Sequence, residues 1–594
     1  MKAPGIHYQV RFPNPQEHGF EVSIEIAHPL PQQSFQMASW IPGSYLIREF
    51  VKQVHSVSAW QGSKKLSLRM TSKDSWQVDT DGSHPLTLRY HVMAHDDSVR
   101  TAWLDTRRGF FNGTSLFMQV LGQTEERVTL NVTPPESLHR WRLATSMKPL
   151  KVRANGFGTY GAENFDELVD HPVEMGEFWE GQFKSRGVLH RLVVAGAPPR
   201  FDGDRLLKDT QQICESIMKF WHGRGRPFFD RYVFLLNVLP SGYGGLEHRN
   251  STALLAQHSD LPKRQARNDH EGYLNLLGLI SHEYFHTWNV KRLKPTEFSP
   301  YRYQSENHTE LLWFFEGFTS YYDDLLLHRA GLLSTAQYLA RLQKTITQVE
   351  QTPGRTRHSL AQSSFEAWTK YYRADSQTHN LTVSYYTKGA LVALCWDLTL
   401  RHEGHRLDDV MRLLWTQTRG GPMDEAHWLS ALETIRGKPC LREHRAWVHG
   451  RGELPLQHLL GQHGVSFQAH APAWPQRLGL RVTPGSGIRI SHVLTNGWAS
   501  KSGFAPGDEW VAIGEGNSFD QAWRIESLDE LSTYAALDRP LKAWVFRRRQ
   551  GLLLNLLPMK HMEQPNAWRL DVQDAQAVKR WLSDSNQGAK LNAQ

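Results

Sequence analysis

From residue 5 to about 185 the chain alternates apolar and polar positions in short runs. Tyr8-Gln-Val-Arg-Phe12, Phe20-Glu-Val-Ser-Ile-Glu-Ile26, Leu86-Thr-Leu-Arg-Tyr-His-Val92 and Val128-Thr-Leu-Asn-Val132 each show it. A period of two is that of a half-buried strand. Turn clusters such as Asp79-Thr-Asp-Gly-Ser83 and Thr133-Pro-Pro-Glu-Ser137 separate the runs. Many short strands at this spacing predict a β-sandwich-like domain. The pattern changes near 190. Strand-like Leu189–Ala195 leads to a helical stretch from Asp204 to Trp221, and strand-like Tyr232–Leu239 runs into the turn Ser241-Gly-Tyr-Gly-Gly245. Helical periodicity dominates from about 271 to 460. β texture returns from about 470 to 560, and a polar tail, Ser583-Asp-Ser-Asn-Gln-Gly588, is expected to fray. The fold class expected is therefore multidomain α+β, with segments 1–188, 189–465, 466–560 and 561–594.

Composition supports an ordinary soluble chain. Its 594 residues correspond to about three to five domains. With 40% hydrophobic and 22% charged residues, it is neither a disordered nor a membrane-spanning composition. The charge is 68 − 60 = +8, too diffuse to argue for a nucleic-acid partner. Arg547-Arg-Arg549 reads as a hairpin tip. Three scattered cysteines make neither a disulfide framework nor a thiolate zinc site. The first thirty residues lack the apolar core of an export signal, and no stretch reaches membrane-spanning length. A cytoplasmic protein that binds no membrane is expected.

The candidate chemistry lies in Ser281-His-Glu-Tyr-Phe-His286, an H-E-x-x-H motif inside the apolar segment 273–290. On a helix, His282 and His286 stand about 40° apart and one turn along, so both imidazoles can reach one Zn²⁺. Glu283 is then placed to take a proton from water. A third ligand is needed. Glu316 is an isolated carboxylate in the apolar run 311–322 and wants a cation. Glu310 competes, but six residues on one helix set it about 120° off the face of Glu316.

His282-Glu-Tyr-Phe-His-Thr-Trp-Asn-Val-Lys-Arg-Leu-Lys-Pro295 followed by Trp313-Phe-Phe-Glu-Gly-Phe-Thr-Ser-Tyr-Tyr322 resembles the glycyl aminopeptidase family of zinc metallopeptidases, in the gluzin clan. Trp40-Ile-Pro-Gly-Ser-Tyr-Leu-Ile-Arg-Glu-Phe50 and Arg108-Gly-Phe-Phe-Asn-Gly-Thr-Ser-Leu-Phe117 resemble it too. The likeness runs from about 5 to 560. It implies a β-rich N-terminal domain, a thermolysin-like catalytic domain with a mixed sheet and helical lobe, and a C-terminal PDZ-like domain. Residues 296–309 have no counterpart in the larger zinc aminopeptidases related to this family. Carried over, Glu247 of Gly244-Gly245-Leu-Glu-His248 anchors the substrate's α-amino group at a peptide-binding edge strand. Tyr386 of Ser384-Tyr-Tyr-Thr-Lys-Gly389, with Tyr385 as its neighbour and rival, donates to the oxyanion. Leu478-Gly-Leu-Arg-Val482 and Gly497–Ile513 resemble PDZ segments, their ligand open. Asn112 and Thr114 are further candidates to reach the site from the β domain. The resemblance implies one Zn²⁺ per chain, peptide substrates with a free N-terminus, and Gly or Ala at the first position. An endopeptidase recruiting proteins through the PDZ-like domain, and a non-catalytic PDZ-type binder, are the alternatives.

Overall fold

The computed structural model describes residues 5–266, 270–559 and 567–584. It divides into two compact units, Met1–Asn307 with Tyr322–Leu333 and Leu414–Asp424, and His308–Tyr321 with Ser334–Leu413 and Glu425–Gln594.

In the first unit the alternating runs form strands that bury every second residue. Ile6, Tyr8 and Val10 of Ile6–Arg11 point inward, as do Phe20, Val22, Ile24 and Ile26 of Gly19–Ile26. These strands sit in an eight-stranded sheet, with two four-stranded sheets completing the β-rich N-terminal region. The core gathers Phe35, Phe111, Phe117 and Trp141. Asn112 is buried here. Its amide donates to the Val99 carbonyl at 2.7 Å, and Thr114 is buried beside it. Gly113 between them lies against the Val169 backbone.

A five-stranded sheet follows: β1 (Trp179–Ser185), β2 (Val188–Ala195), β3 (Arg231–Leu239), β4 (Gly244–Glu247) and β5 (Ser251–Gln257), in the order β1-β2-β3-β5-β4. The inner strands β2, β3 and β5 are parallel. β3 is buried along nearly its whole length, as its unbroken apolar run requires. β4 lies antiparallel at the edge. β1 and β2 pair along their length as one hairpin. Helix α1 (Gly203–His222) connects β2 to β3, and α2 (Glu271–Phe285) follows β5. Residues 301–303 strap the β domain. Ser39 N–H donates to the Tyr303 carbonyl, the Trp40 indole donates to the Arg302 carbonyl at 2.7 Å, and the Tyr303 hydroxyl donates to Asp166.

Helix α3 (Leu312–Arg329) runs across the division between the units. The second unit holds α4 (Tyr385–His402) and α5 (Glu425–Arg436) among its helices. Its C-terminal six-stranded sheet contains Leu480–Val482, Ile488–Val493, Glu509–Gly514, Ala522–Arg524, Leu541–Arg547 and Gln550–Leu556 around a separate apolar core. Arg548 and Arg549 form the two-residue hairpin tip, both at positive φ. Arg547 turns back and grips buried Asp508 with two nitrogens. The segment beyond 560, expected only as a tail, carries two elements. Ala567–Val572 pairs with Val465–His470, and Ala575–Leu582 buries Trp581. Residues 585–588 of the expected polar tail lie outside the described residues.

Candidate active site

Helix α2 is apolar on almost every face and is buried accordingly. Tyr273, in its first turn, is tied by its hydroxyl to Asp209 of α1 at 2.7 Å. The helix ends at Phe285, one residue before the second histidine, although the apolar segment continues to Val290. His286 is the C-cap. It retains helical φ and ψ and donates its N–H to the His282 carbonyl, so the one-turn spacing of the two imidazoles survives.

Both rings are held from behind. His282 Nδ1 lies 3.0 Å from the Asp323 carboxylate, and His286 Nδ1 lies 2.7 Å from the Asn289 carbonyl. Both partners are acceptors, which places a proton on each Nδ1 and a lone pair on each Nε2. The two Nε2 atoms then face each other at 3.0 Å. Two lone pairs at that separation repel unless a cation lies between them. The coordinating atoms of His282, His286 and Glu316 all lie within 4.8 Å of one another. Two imidazole nitrogens and one carboxylate suit a zinc-type divalent ion, with a position left for water. Glu310, the competing acid, is exposed ahead of α3. Asp323, absent from the sequence reading, lies seven residues after Glu316 on α3. Two turns place both carboxylates on nearly one face, and that spacing was the available signal.

Glu283 is buried against the edge strand. A Cβ on Gly245 would stand 2.0 Å from its Oε1, so β4 passes Glu283 at a distance only glycine permits. Glu247 follows two residues later and shares that face of the strand. It is also buried, with Gly43 of the Trp40–Phe50 motif at its carboxylate. A Cβ on Gly43, whose φ is +94°, would stand 2.5 Å from Oε2. Gly244 adopts φ +159°, and the Arg100 guanidinium reaches the Gly245 carbonyl at 3.4 Å. Lys291 is buried nearby and bonded to Asp170 at 2.7 Å. Burial pulls its ammonium pKa down, but Asp170 and then Tyr301 and Glu247 outweigh that and hold it above the usual value.

On α4, Tyr386 stands half-buried and Tyr385 is fully buried. Burial first, and then the charge of Glu316, push the Tyr386 phenol well above its usual pKa, so it remains a donor. Its hydroxyl is 3.5 Å from that of Tyr372. Two glycines bring Tyr386 and Glu316 near one another. A Cβ on Gly317 would stand 2.5 Å from Gly389 Cα, and one on Gly389 would stand 2.6 Å from the Trp313 carbonyl. Helices α3 and α4 therefore touch backbone to backbone.

The N-terminal region, residues 7–177, matches the model of the peptidase M61 N-terminal domain, and residues 275–392 match that of the M61 glycyl aminopeptidase. A crystal structure of an aminopeptidase N family protein from Idiomarina loihiensis is similar over 97% of this chain and 100% of that one, with 33% identity and a TM-score of 0.91. An M1 zinc metallopeptidase from Deinococcus radiodurans is similar at 15% identity and a TM-score of 0.48, over 76% of this chain and 94% of that one. No curated protein matches. The fold and the matched domains define a peptidase. The chain belongs to the M61 glycyl aminopeptidase family.

Proposed function

We propose that this peptidase is a zinc-dependent aminopeptidase that removes N-terminal residues, Gly or Ala by family likeness, from peptides. His282, His286 and Glu316 would hold the metal, with Asp323 and the Asn289 carbonyl fixing the imidazoles. When bound, the cation supplies Lewis acidity and makes water a better nucleophile. An extended peptide pairs with the edge strand β4. Glu247 receives its α-ammonium, which sets cleavage at the first peptide bond. Glu283 accepts a proton from the attacking water and returns it to the leaving amine. Tyr386 donates to the oxyanion. The supporting observation is Gly245, which brings the substrate edge onto Glu283 while Glu247 shares its face. The C-terminal sheet is read as a PDZ-like domain, supported by its separate core and by left-handed Gly479 packed on Gly497. The polypeptide would act in the cytoplasm.

The test compares free and N-acetylated peptides of one sequence. Only free peptides should be cut, and only from the end. Chelation should abolish turnover and added zinc restore it. Glu316→Ala should lose the metal, whereas Glu310→Ala should keep it. Glu283→Gln should retain the metal and lose roughly 10²–10⁴ in rate. Mid-chain cleavage of blocked peptides would favour the endopeptidase instead.

A further inference from the structure

A second His–His–Glu constellation lies in the second unit. Glu425 opens α5. His444 ends the short helix Leu441–His444, and His449 ends the π-helical turn Arg445–His449. Five residues apart on an α-helix, two side chains would point about 140° away from each other. The π turn, closed by Gly450 N–H to the Arg445 carbonyl at 2.7 Å, spends five residues on one turn and returns His449 to the side of His444. Gly450 makes this closure possible, since a Cβ there would stand 2.3 Å from the Ala446 carbonyl. Both Nε2 atoms then converge on a single oxygen of Glu425. His449 lies 2.7 Å from it, and His444 contacts the same Oε1. The three coordinating atoms lie within 4.8 Å of one another. His444 is buried, while His449 and Glu425 are each about one-third exposed, at 36% and 30%, so an ion and a water can enter from one side.

Two neutral histidines donating to one carboxylate could occupy this arrangement as well. Three features favour a metal. The rings share one oxygen and leave the other carboxylate oxygen unused by them. A rare π turn is spent to align them, and such turns concentrate at functional sites. The donor set, two imidazoles and a carboxylate, is that of a borderline divalent cation.

We propose that Glu425, His444 and His449 form a second binding site for a zinc-type divalent cation, one that fastens the start of α5 to the π turn. The His444 ring lies 5.8 Å from that of Trp313, three residues before Glu316 on α3, so the clamp braces the helix that carries the first-site carboxylate.

The test uses full-length protein in which His282→Ala and His286→Ala remove the first site. Zinc titration by calorimetry should then find one equivalent per chain, and zinc should raise the melting temperature. Adding His449→Gln, a change at a part-exposed residue, should abolish both the uptake and the shift. Adding Glu425→Gln should weaken uptake at least tenfold. Cobalt substitution should give a ligand-field spectrum that His449→Gln removes. No uptake by the double-alanine protein, or uptake unchanged by His449→Gln, overturns the second site without touching the first.

Discussion

A methyl group is all that separates Gly245 from alanine, and Glu283 occupies the place it would take. Gly245→Ala should push that carboxylate aside. A displacement of about 1 Å at a reacting group costs on the order of 10²-fold in rate. Turnover should therefore fall about a hundredfold while metal content and melting temperature stay close to wild type. A full-rate Gly245→Ala enzyme would remove Glu283 from the chemistry or β4 from its flank. Val290 offers a second residue-scale test. It is buried, β-branched and held at φ +120°, four residues after His286, in the turn whose Asn289 carbonyl positions that ring. Such a backbone costs about 1–3 kcal/mol in a residue other than glycine. Val290→Ala and Val290→Gly lose similar packing, but only glycine releases the strain. The glycine variant should be the more stable by about 1 kcal/mol in urea unfolding, the reverse of the usual order.

Helices α3 and α4 show how much of the site depends on one contact between elements. Gly317 and Gly389 meet backbone to backbone, with no flexible side chain able to yield. Gly317→Ala should cost about 3 kcal/mol through overpacking, lowering the melting temperature by roughly 6–12 °C. Gly461, in the helix Leu456–Gln462, has open space where a Cβ would go. Gly461→Ala should stabilise by about 0.5–1 kcal/mol. Equal effects at both positions would refute the close crossing. The sequence displays these elements unevenly. α2 is legible because its apolar run is long and its histidines are one turn apart. Its end at Phe285 is not, since apolar residues continue through a turn that strain and tertiary bonds impose. Asp323 was readable from its two-turn spacing to Glu316. Gly43 was not, because its partner Glu247 lies two hundred residues away and no local pattern pairs them. The strand Ala567–Val572 was hidden by its brevity and mixed polarity, its partner Val465–His470 being a hundred residues earlier.

Across the whole molecule, the succession of β, mixed, helical and β regions is legible from periodicity alone, because each period follows from which face a backbone can bury. The limits of the regions are less so. The hairpin of β1 and β2 is indistinguishable by alternation from the strands preceding it, and only its pairing assigns it to the five-stranded sheet. The end from which a peptide is cut belongs to this scale too, and under the proposed function it would turn on Glu247. A charge-assisted hydrogen bond to the substrate's α-ammonium is worth about 1.5–3 kcal/mol. Glu247→Gln should therefore lose roughly 10–100-fold in kcat/KM toward free N-termini, at about 1.4 kcal/mol per tenfold. The pH profile separates this from a general loss of structure. The substrate amine titrates near 8, and on the proposed reading its protonated form is the one Glu247 would attract. Wild-type kcat/KM should fall as pH rises through about 8, and the Glu247→Gln profile should lose that limb while keeping the acid side. Rates toward N-acetylated peptides should be low in both proteins and change little between them. A variant that retains the alkaline limb would show that another group receives the amine and that Glu247 shapes only the wall around it.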